Sequence, residues 1–326
     1  MIPLSILELG RVRVGFDRRS SLDNARSLAQ HAERLAFRRI WVAEHHNSPA
    51  VATAATSVVV AHIAAGTTTI RVGAGGVMLP NHAPYVIAEQ FGTLETLHPG
   101  RIDLGLGRAS GTDQVTSRAL RQDPGNAENF PQDIQELQAF LATKGEAQRI
   151  EAVPGSGTNV PLWILGSSLF GAQLAAALGL PYAFGSQFAP HALHQALQVY
   201  RDNFQPSEQL QKPYAMIGVN VIAAETDTEA RLLATSQQMT FADMFRCMPS
   251  LLKPPVADIE AYWTPREKAQ TEQMLSCSVV GSAETVRAGL NQLVAETRAD
   301  ELMIVTDIFD FSKRVRSLEI TAQAAT

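Results

Sequence analysis

Cysteine is scarce in this chain: there are two, Cys247 and Cys277, among 326 residues. They stand in separate segments and neither belongs to a CxxC pair, which excludes a disulfide framework and a zinc knuckle. Runs rich in lysine or arginine are missing too. The formal net charge is -5, with both signs mixed along the chain, so the electrostatic footprint of a nucleic-acid binder is not there. No window approaches ~18 consecutive apolar residues, the length a membrane-spanning helix needs. The apolar stretch from Ile2 to Leu9 is short, contains Glu8 and follows no basic region, so it reads as a strand rather than a secretory signal. These absences point to a soluble, cytoplasmic protein. What remains is an ordinary globular composition, 45% hydrophobic and 18% charged. A single domain over residues 1–326 can bury a cofactor without disulfides or metals as staples.

Short apolar runs alternate with longer amphipathic segments. Strands are expected at Pro3–Glu8, Arg39–Ala43, Thr68–Gly76, Arg101–Gly107, Leu162–Leu165, Tyr182–Phe184, Tyr214–Ala223 and Glu301–Thr306. Helical spacing marks Leu22–Phe37, with N-cap chemistry at Ser20, Ser21 and Asp23. It recurs at Ala54–Ala65, Pro84–Leu97, Pro131–Leu141, Leu169–Leu178, Pro190–Phe204, Thr226–Phe245, Ala283–Glu296 and Phe311–Ile320. Eight strands with helices between them imply parallel pairing and closure into a (β/α)8 TIM barrel. Two irregular stretches, Arg108–Pro161 and Arg246–Val280, are insertions after the fourth and seventh strands, on the side where such barrels build their sites.

Four segments could carry chemistry. Trp41-Val42-Ala43-Glu44-His45-His46-Asn47 puts two histidines just past a strand. They could ligate a metal, but neighbours on an extended segment face opposite ways and no further acid or histidine cluster completes a site. One could act as a general base or acid, or both could simply pack. Val72-Gly73-Ala74-Gly75-Gly76 ends the third strand with little side chain, allowing close approach to a flat ligand or only relieving crowding inside a small barrel. Gly105-Leu106-Gly107-Arg108-Ala109-Ser110-Gly111 lacks the spacing of a dinucleotide loop. Its arginine suits phosphate, though such arginines are usually solvated. Finally, Trp163-Ile164-Leu165-Gly166-Ser167-Ser168 passes straight into a helix, where free N–H groups and two hydroxyls can hold an anion or merely cap.

In this order and context, WVAEHH, VGAGGVMLPNHAPYVIAEQFGTLETLHPGRIDLGLGR and WILGSS…LGLP resemble the bacterial-luciferase-like family of flavin-dependent barrel oxidoreductases. The resemblance runs from the first strand to about Pro181 and is weaker beyond it. It implies that His45 is the active-site histidine, acting as a base in the flavin's oxygen chemistry. It implies that Ala74, Gly75 and Gly76 lie beneath the isoalloxazine ring, with a non-proline cis peptide at Gly75-Gly76. It implies that Arg108, Ser167 and Ser168 grip the FMN phosphate. This phosphate position comes from the resemblance alone, since barrels in general place phosphate after their last two strands. Luciferases carry a reactive cysteine where this chain has Gly107 and a glutamate where it has Ser167, so light emission is not implied.

The activity implied is that of a monooxygenase using reduced FMN and O2 on a small organic substrate, with a separate flavin reductase because no nicotinamide motif is evident. Met78, Phe188, Phe245 and Trp263 could line a substrate pocket or simply belong to the core. Hydride transfer with the deazaflavin F420, or flavin binding without catalysis, are the alternatives. The resemblance also implies a homodimer through helices beside the second and third strands, although the small-residue face of Ala52–Ala65 could equally pack on its own barrel.

Overall fold

In a computed structural model, residues 2–108, 113–121, 124–248 and 250–325 are described. Strands form at β1 Leu4–Glu8, β2 Arg39–Val42, β3 Arg71–Met78, β4 Ile102–Gly107, β5 Leu162–Gly166, β6 Tyr182–Phe184, β7 Ala215–Ala223, β8 Ser278–Gly281 and β9 Glu301–Val305. Helices form at α1 Arg18–Arg34, α2 Thr56–Ala64, α3 Pro84–Leu97, α4 Gln114–Ala119, α5 Phe130–Leu141, α6 Leu169–Leu178, α7 Leu193–Asp202, α8 Asp227–Phe245, α9 Pro265–Met274, α10 Ala283–Thr297 and α11 Phe311–Ala324.

Pairing is parallel throughout and closes on itself: β1 through β7 in order, then β9, which pairs back onto β1 at Leu4↔Leu302 and Ile6↔Ile304. This is the TIM barrel expected. One correction concerns the stretch after β7, which is not irregular throughout. It holds α9, opened by a capping box between Thr264 and Glu267, and the four-residue β8. β7 runs beyond β6, and β8 pairs with its further end, Asn220 to Ala223. So short a strand leaves too few residues for its alternation to stand out in sequence. A second correction moves the start of α1. Asp17, not Ser20, Ser21 or Asp23, caps it, accepting from the Ser20 N–H at 2.8 Å. Serines inside the first turn did not stop the helix from beginning four residues earlier than its apolar spacing shows, at Arg18 rather than Leu22.

Alternation along the strands separates two cores. Outward residues such as Ile6, Ile40, Val72, Leu104 and Ile304 pack under the helices. Inward ones, Leu7, Trp41, Trp163, Met216 and Met303, fill the lumen. Trp41 and Trp163 meet edge to face at 5.1 Å, and Trp163 meets Tyr214 in the same way at 5.6 Å.

Below this aromatic layer the lumen is ionic. The buried Arg39 guanidinium reaches Asp103 at 2.7 Å and Glu301 at 2.8 Å. Arg71 adds a second cation on Asp103 at 2.7 Å, Trp41 Nε1 donates to Asp103, and Tyr214 and Ser5 donate to Glu301. Every lone pair facing Arg39 is thus answered, as a buried ion pair requires. Replacing Arg39 with methionine leaves Asp103 and Glu301 without their shared partner. It is expected to lower the unfolding free energy by about 3–5 kcal/mol in urea denaturation. A loss below about 1 kcal/mol, the scale of a surface pair, would show that the plug is not what closes this end.

The second insertion is tied down at both ends. Asp243 near the end of α8 accepts from Lys253 at 2.5 Å and Tyr262 at 2.7 Å, and Arg246 pairs bidentately with Glu267 at 2.8 and 2.9 Å. Leu252, between them, joins the loop after β1: its N–H donates to Val12 and its carbonyl accepts from Val14, both at 2.9 Å. The insertion is therefore a strap across the C-terminal end of the barrel.

Candidate active site at the C-terminal mouth

Above the tryptophans β3 and β4 carry glycines whose backbone is closely packed. A Cβ on Gly75 would lie 2.9 Å from both Leu7 Cδ1 and Trp41 Cβ, and one on Gly76 would lie 2.8 Å from the Gly105 carbonyl oxygen. The Gly75-Gly76 peptide is cis, and here β3 slips in register against β4, from Gly75↔Gly105 to Val77↔Leu106. Ala74 differs from its neighbours. Its side chain is fully buried in the outer core, so only its backbone belongs to the mouth.

At the end of β2 the alternation of an extended chain divides the two histidines. Glu44 and His46 share one face. The Glu44 carboxylate, 1% exposed, accepts from His46 Nε2 at 2.8 Å and from His82 Nε2 at 2.9 Å on the same oxygen. Its other oxygen takes the Met78 N–H at 3.2 Å, just past the Gly75-Gly76 step. Burial opposes ionisation, but His82, His46 and that N–H outweigh it and hold the carboxyl below its ordinary range. The expectation that no further residue joins these histidines is corrected, because His82 arrives from the turn after β3. The three ligand atoms lie within 4.8 Å of one another, as a metal site requires. Both imidazoles donate to the carboxylate, so the trio works as a clamp joining the ends of β2 and β3.

His45 faces the other way, half-buried, and its Nδ1 has no hydrogen-bond partner. Burial first, and then the charge of Arg11, push its pKa down to about 4. The imidazole is therefore neutral at neutral pH.

The fourth and fifth strands supply the anion-binding corner. Arg108 is exposed, and its guanidinium carbon sits 4.0 Å over the ring of Phe170, in the first turn of α6. Ser168 is the N-cap of α6 but makes no side-chain capping bond, and Ser167 precedes it half-exposed. Arg108 and the Ser167-Ser168 pair, far apart in the chain, thus meet at one helix N-terminus. Ala109, Ser110 and Gly111 of the glycine-rich loop lie outside the described residues.

Of the suggested pocket residues, Met78 leans toward Gly107, where an added Cβ would lie 3.0 Å from its sulfur. Phe188 is exposed and folds over Gly185 after β6. Trp263 is buried in the strap beside Glu260, and Phe245 ends α8, half-buried. Sequence reasoning missed the Glu44–His82 clamp and Arg11. The i, i+2 spacing of Glu44 and His46 was the available signal for the first.

A linked pH effect follows for His45. Its folded pKa of about 4 lies below the ordinary 6.5, so between these values the unfolded chain binds more proton. The stabilisation is fully present above pH 6.5 and is lost as pH falls through 4. In a pH series of urea midpoints, His45→Asn should flatten this window, and NMR titration should find the imidazole neutral at pH 6.5. An NMR midpoint at or above 6.5 would overturn the assignment.

Comparison with known proteins agrees with this architecture. The family model for luciferase-like monooxygenases matches residues 2–301. An uncharacterised protein of Bacillus subtilis, YvbT, is 50% identical over 98% of this chain and 95% of its own length. A luciferase-like monooxygenase of Escherichia coli K12 is 48% identical over 98% and 96%. Among solved structures, apo-MsnO8 is 34% identical and superposes with a TM-score of 0.93, covering 100% of this chain and 98% of that one. The oxygenating constituent of 3,6-diketocamphane monooxygenase from Pseudomonas putida, in complex with FMN, shares the fold at 16% identity, with a TM-score of 0.73 and coverage of 99% and 97%. With its closed barrel and a family match over nearly its whole length, the chain belongs to the luciferase-like monooxygenases.

Proposed function

We propose that this protein is an FMN-dependent monooxygenase that receives reduced FMN from a separate reductase and uses O2 to oxidise a small organic substrate. The observation that carries this reading is the convergence of Arg108 and the open N-terminus of α6 at the strand end of the barrel that carries the Gly75-Gly76 step. The residues fit the cofactor. A phosphate would take the Arg108 guanidinium, the Ser167 and Ser168 hydroxyls and the first N–H groups of α6. A flat ring would lie against the Gly75-Gly76 backbone, with the Ala74 backbone beside it.

Bound there, reduced FMN would supply the electrons and activate O2. The chain's own residues bind, orient and keep water out. His45, neutral and with an unpartnered Nδ1, can accept a proton at that atom as a general base. The Glu44 clamp fixes the backbone on either side of His45, so the imidazole is held rather than free to swing. The strap through Leu252 restricts solvent at the mouth. The same reading carries a homodimer through α2 and α3, whose outer faces expose Val58, Val86 and Leu97, and a cytoplasmic location. Among the described residues no helix is long and apolar enough to cross a membrane.

Anaerobic titration with reduced FMN, then mixing with O2, tests the reading. Arg108→Ala should weaken binding about 10- to 100-fold, the scale of a lost charge-assisted hydrogen bond. His45→Ala should bind reduced FMN normally yet change the rate and pH dependence of oxygen uptake. Unaltered affinity in Arg108→Ala would sink the phosphate assignment. Bound reduced FMN that never consumes O2, alongside tight binding of F420, would move the chain to hydride transfer; without F420 binding it would be a silent flavin carrier.

A further inference from the structure

A second concavity opens at the same end of the barrel, between the loops that follow β1 and β9. It measures about 310 Å3, counting space open to solvent. Its walls carry three guanidinium groups, Arg11, Arg13 and Arg314, against two carboxylates, Glu8 and Asp307. Two of the cations are spoken for. Arg314 pairs with Glu8 at 2.9 Å and donates to the Thr306 carbonyl at 2.7 Å, and Arg11 pairs with Asp307 at 3.0 Å.

Arg13 is left over. Its guanidinium carbon lies 3.8 Å over the ring of Phe16 and 6.0 Å from that of Phe309, and one N–H donates to the Phe309 carbonyl at 3.0 Å. Among the described residues no carboxylate oxygen comes within 4.0 Å of it. Asp310 acts on it through charge alone, its carboxylate being engaged by Ser312 and by the Lys313 N–H that it caps. Two aromatic rings therefore hold a planar fork whose remaining donors have no acid to meet, the arrangement that suits a carboxylate or phosphate. The opposite need is present on the same wall. Asp307 is 2% exposed, and its Oδ1, turned from Arg11, has no hydrogen-bond partner. A buried acceptor left unanswered costs on the order of 1–3 kcal/mol, which a ligand's N–H or O–H would recover.

We infer that this cleft binds the acidic end of the substrate: a small organic acid bearing an N–H or O–H donor beside its carboxylate. The Arg13 fork takes the carboxylate and Asp307 Oδ1 takes the donor. The cleft adjoins the reacting side of the mouth, because Arg11 lines it and also acts electrostatically on His45, and Leu252 of the strap forms part of its rim. The term substrate rests on the monooxygenase reading, whereas the binding event requires no flavin.

The test is calorimetric titration of the flavin-free protein at low salt with three probes: N-acetylglycine, its neutral amide N-acetylglycinamide, and inorganic phosphate. The acid should bind at least about 10-fold more tightly than the amide, the factor one charge-assisted hydrogen bond supplies. Arg13→Gln should abolish that difference, and Arg13→Lys, which keeps charge but not the fork, should restore only part of it. Both variants should melt and bind reduced FMN as the wild type does. Equal binding of acid and amide, or acid binding that survives Arg13→Gln, overturns the inference. Phosphate binding as tight as N-acetylglycine overturns the organic-acid class. If reduced FMN fails to bind while the acid–amide contrast holds, the flavin reading falls and the cleft stands.

Discussion

Arg39 is the cation that two carboxylates buried inside the barrel share. Asp103 comes from β4 and Glu301 from β9, and Arg39 from β2 joins them across the lumen. A carboxylate buried without a partner would be prohibitively costly, so these three strands can close only in the one register that brings them together. Tyr214 and Ser5 extend the same network to the residue preceding β7 and to β1. On this ionic base rests the Trp41–Trp163 layer, with the Arg39 guanidinium stacked 4.7 Å from the Trp163 ring. Above it come the glycines of β3 and β4, so the lumen runs from charged, through aromatic, to closely packed backbone.

The mouth is organised by a second buried carboxylate. Glu44 uses its oxygens to gather two imidazoles and the Met78 N–H, which locks the end of β2 against the segment leaving the Gly75-Gly76 step. The same geometry that spends His46 on Glu44 sends His45 to the opposite side with an unpartnered nitrogen. One structural histidine and one chemically available histidine follow from the pleat and from a single acid.

Around this mouth the two long insertions do different work. The described part of the first carries α4 and α5, and Phe140 of α5 packs edge to face on Tyr85 of α3 at 5.3 Å. The second is cross-linked through Asp243 and Arg246 and reaches the loop after β1 through Leu252. Its anchoring gives the β1–β9 side of the mouth a defined wall, whose arginines outnumber its acids.

Short apolar runs set between segments of helical spacing marked the eight barrel strands, and the count of eight with helices between already favoured closure. The glycines of β3 and β4, the histidine pair and Arg108 were also visible in the sequence, since their residue types are unusual at strand ends. Their pairing was not. That His82 serves Glu44, that Arg108 lies on Phe170 and that Arg11 approaches His45 are facts of strand order and register, which bring together residues far apart in the chain. The start of α1 and the whole of β8 escaped for a related reason. A cap is decided by one side-chain hydrogen bond, and a four-residue strand by the neighbour it pairs with, and neither leaves a periodic trace. The sequence determined the eight barrel strands and the helices between them; only the closed barrel decided which residues share the lumen and which of them touch.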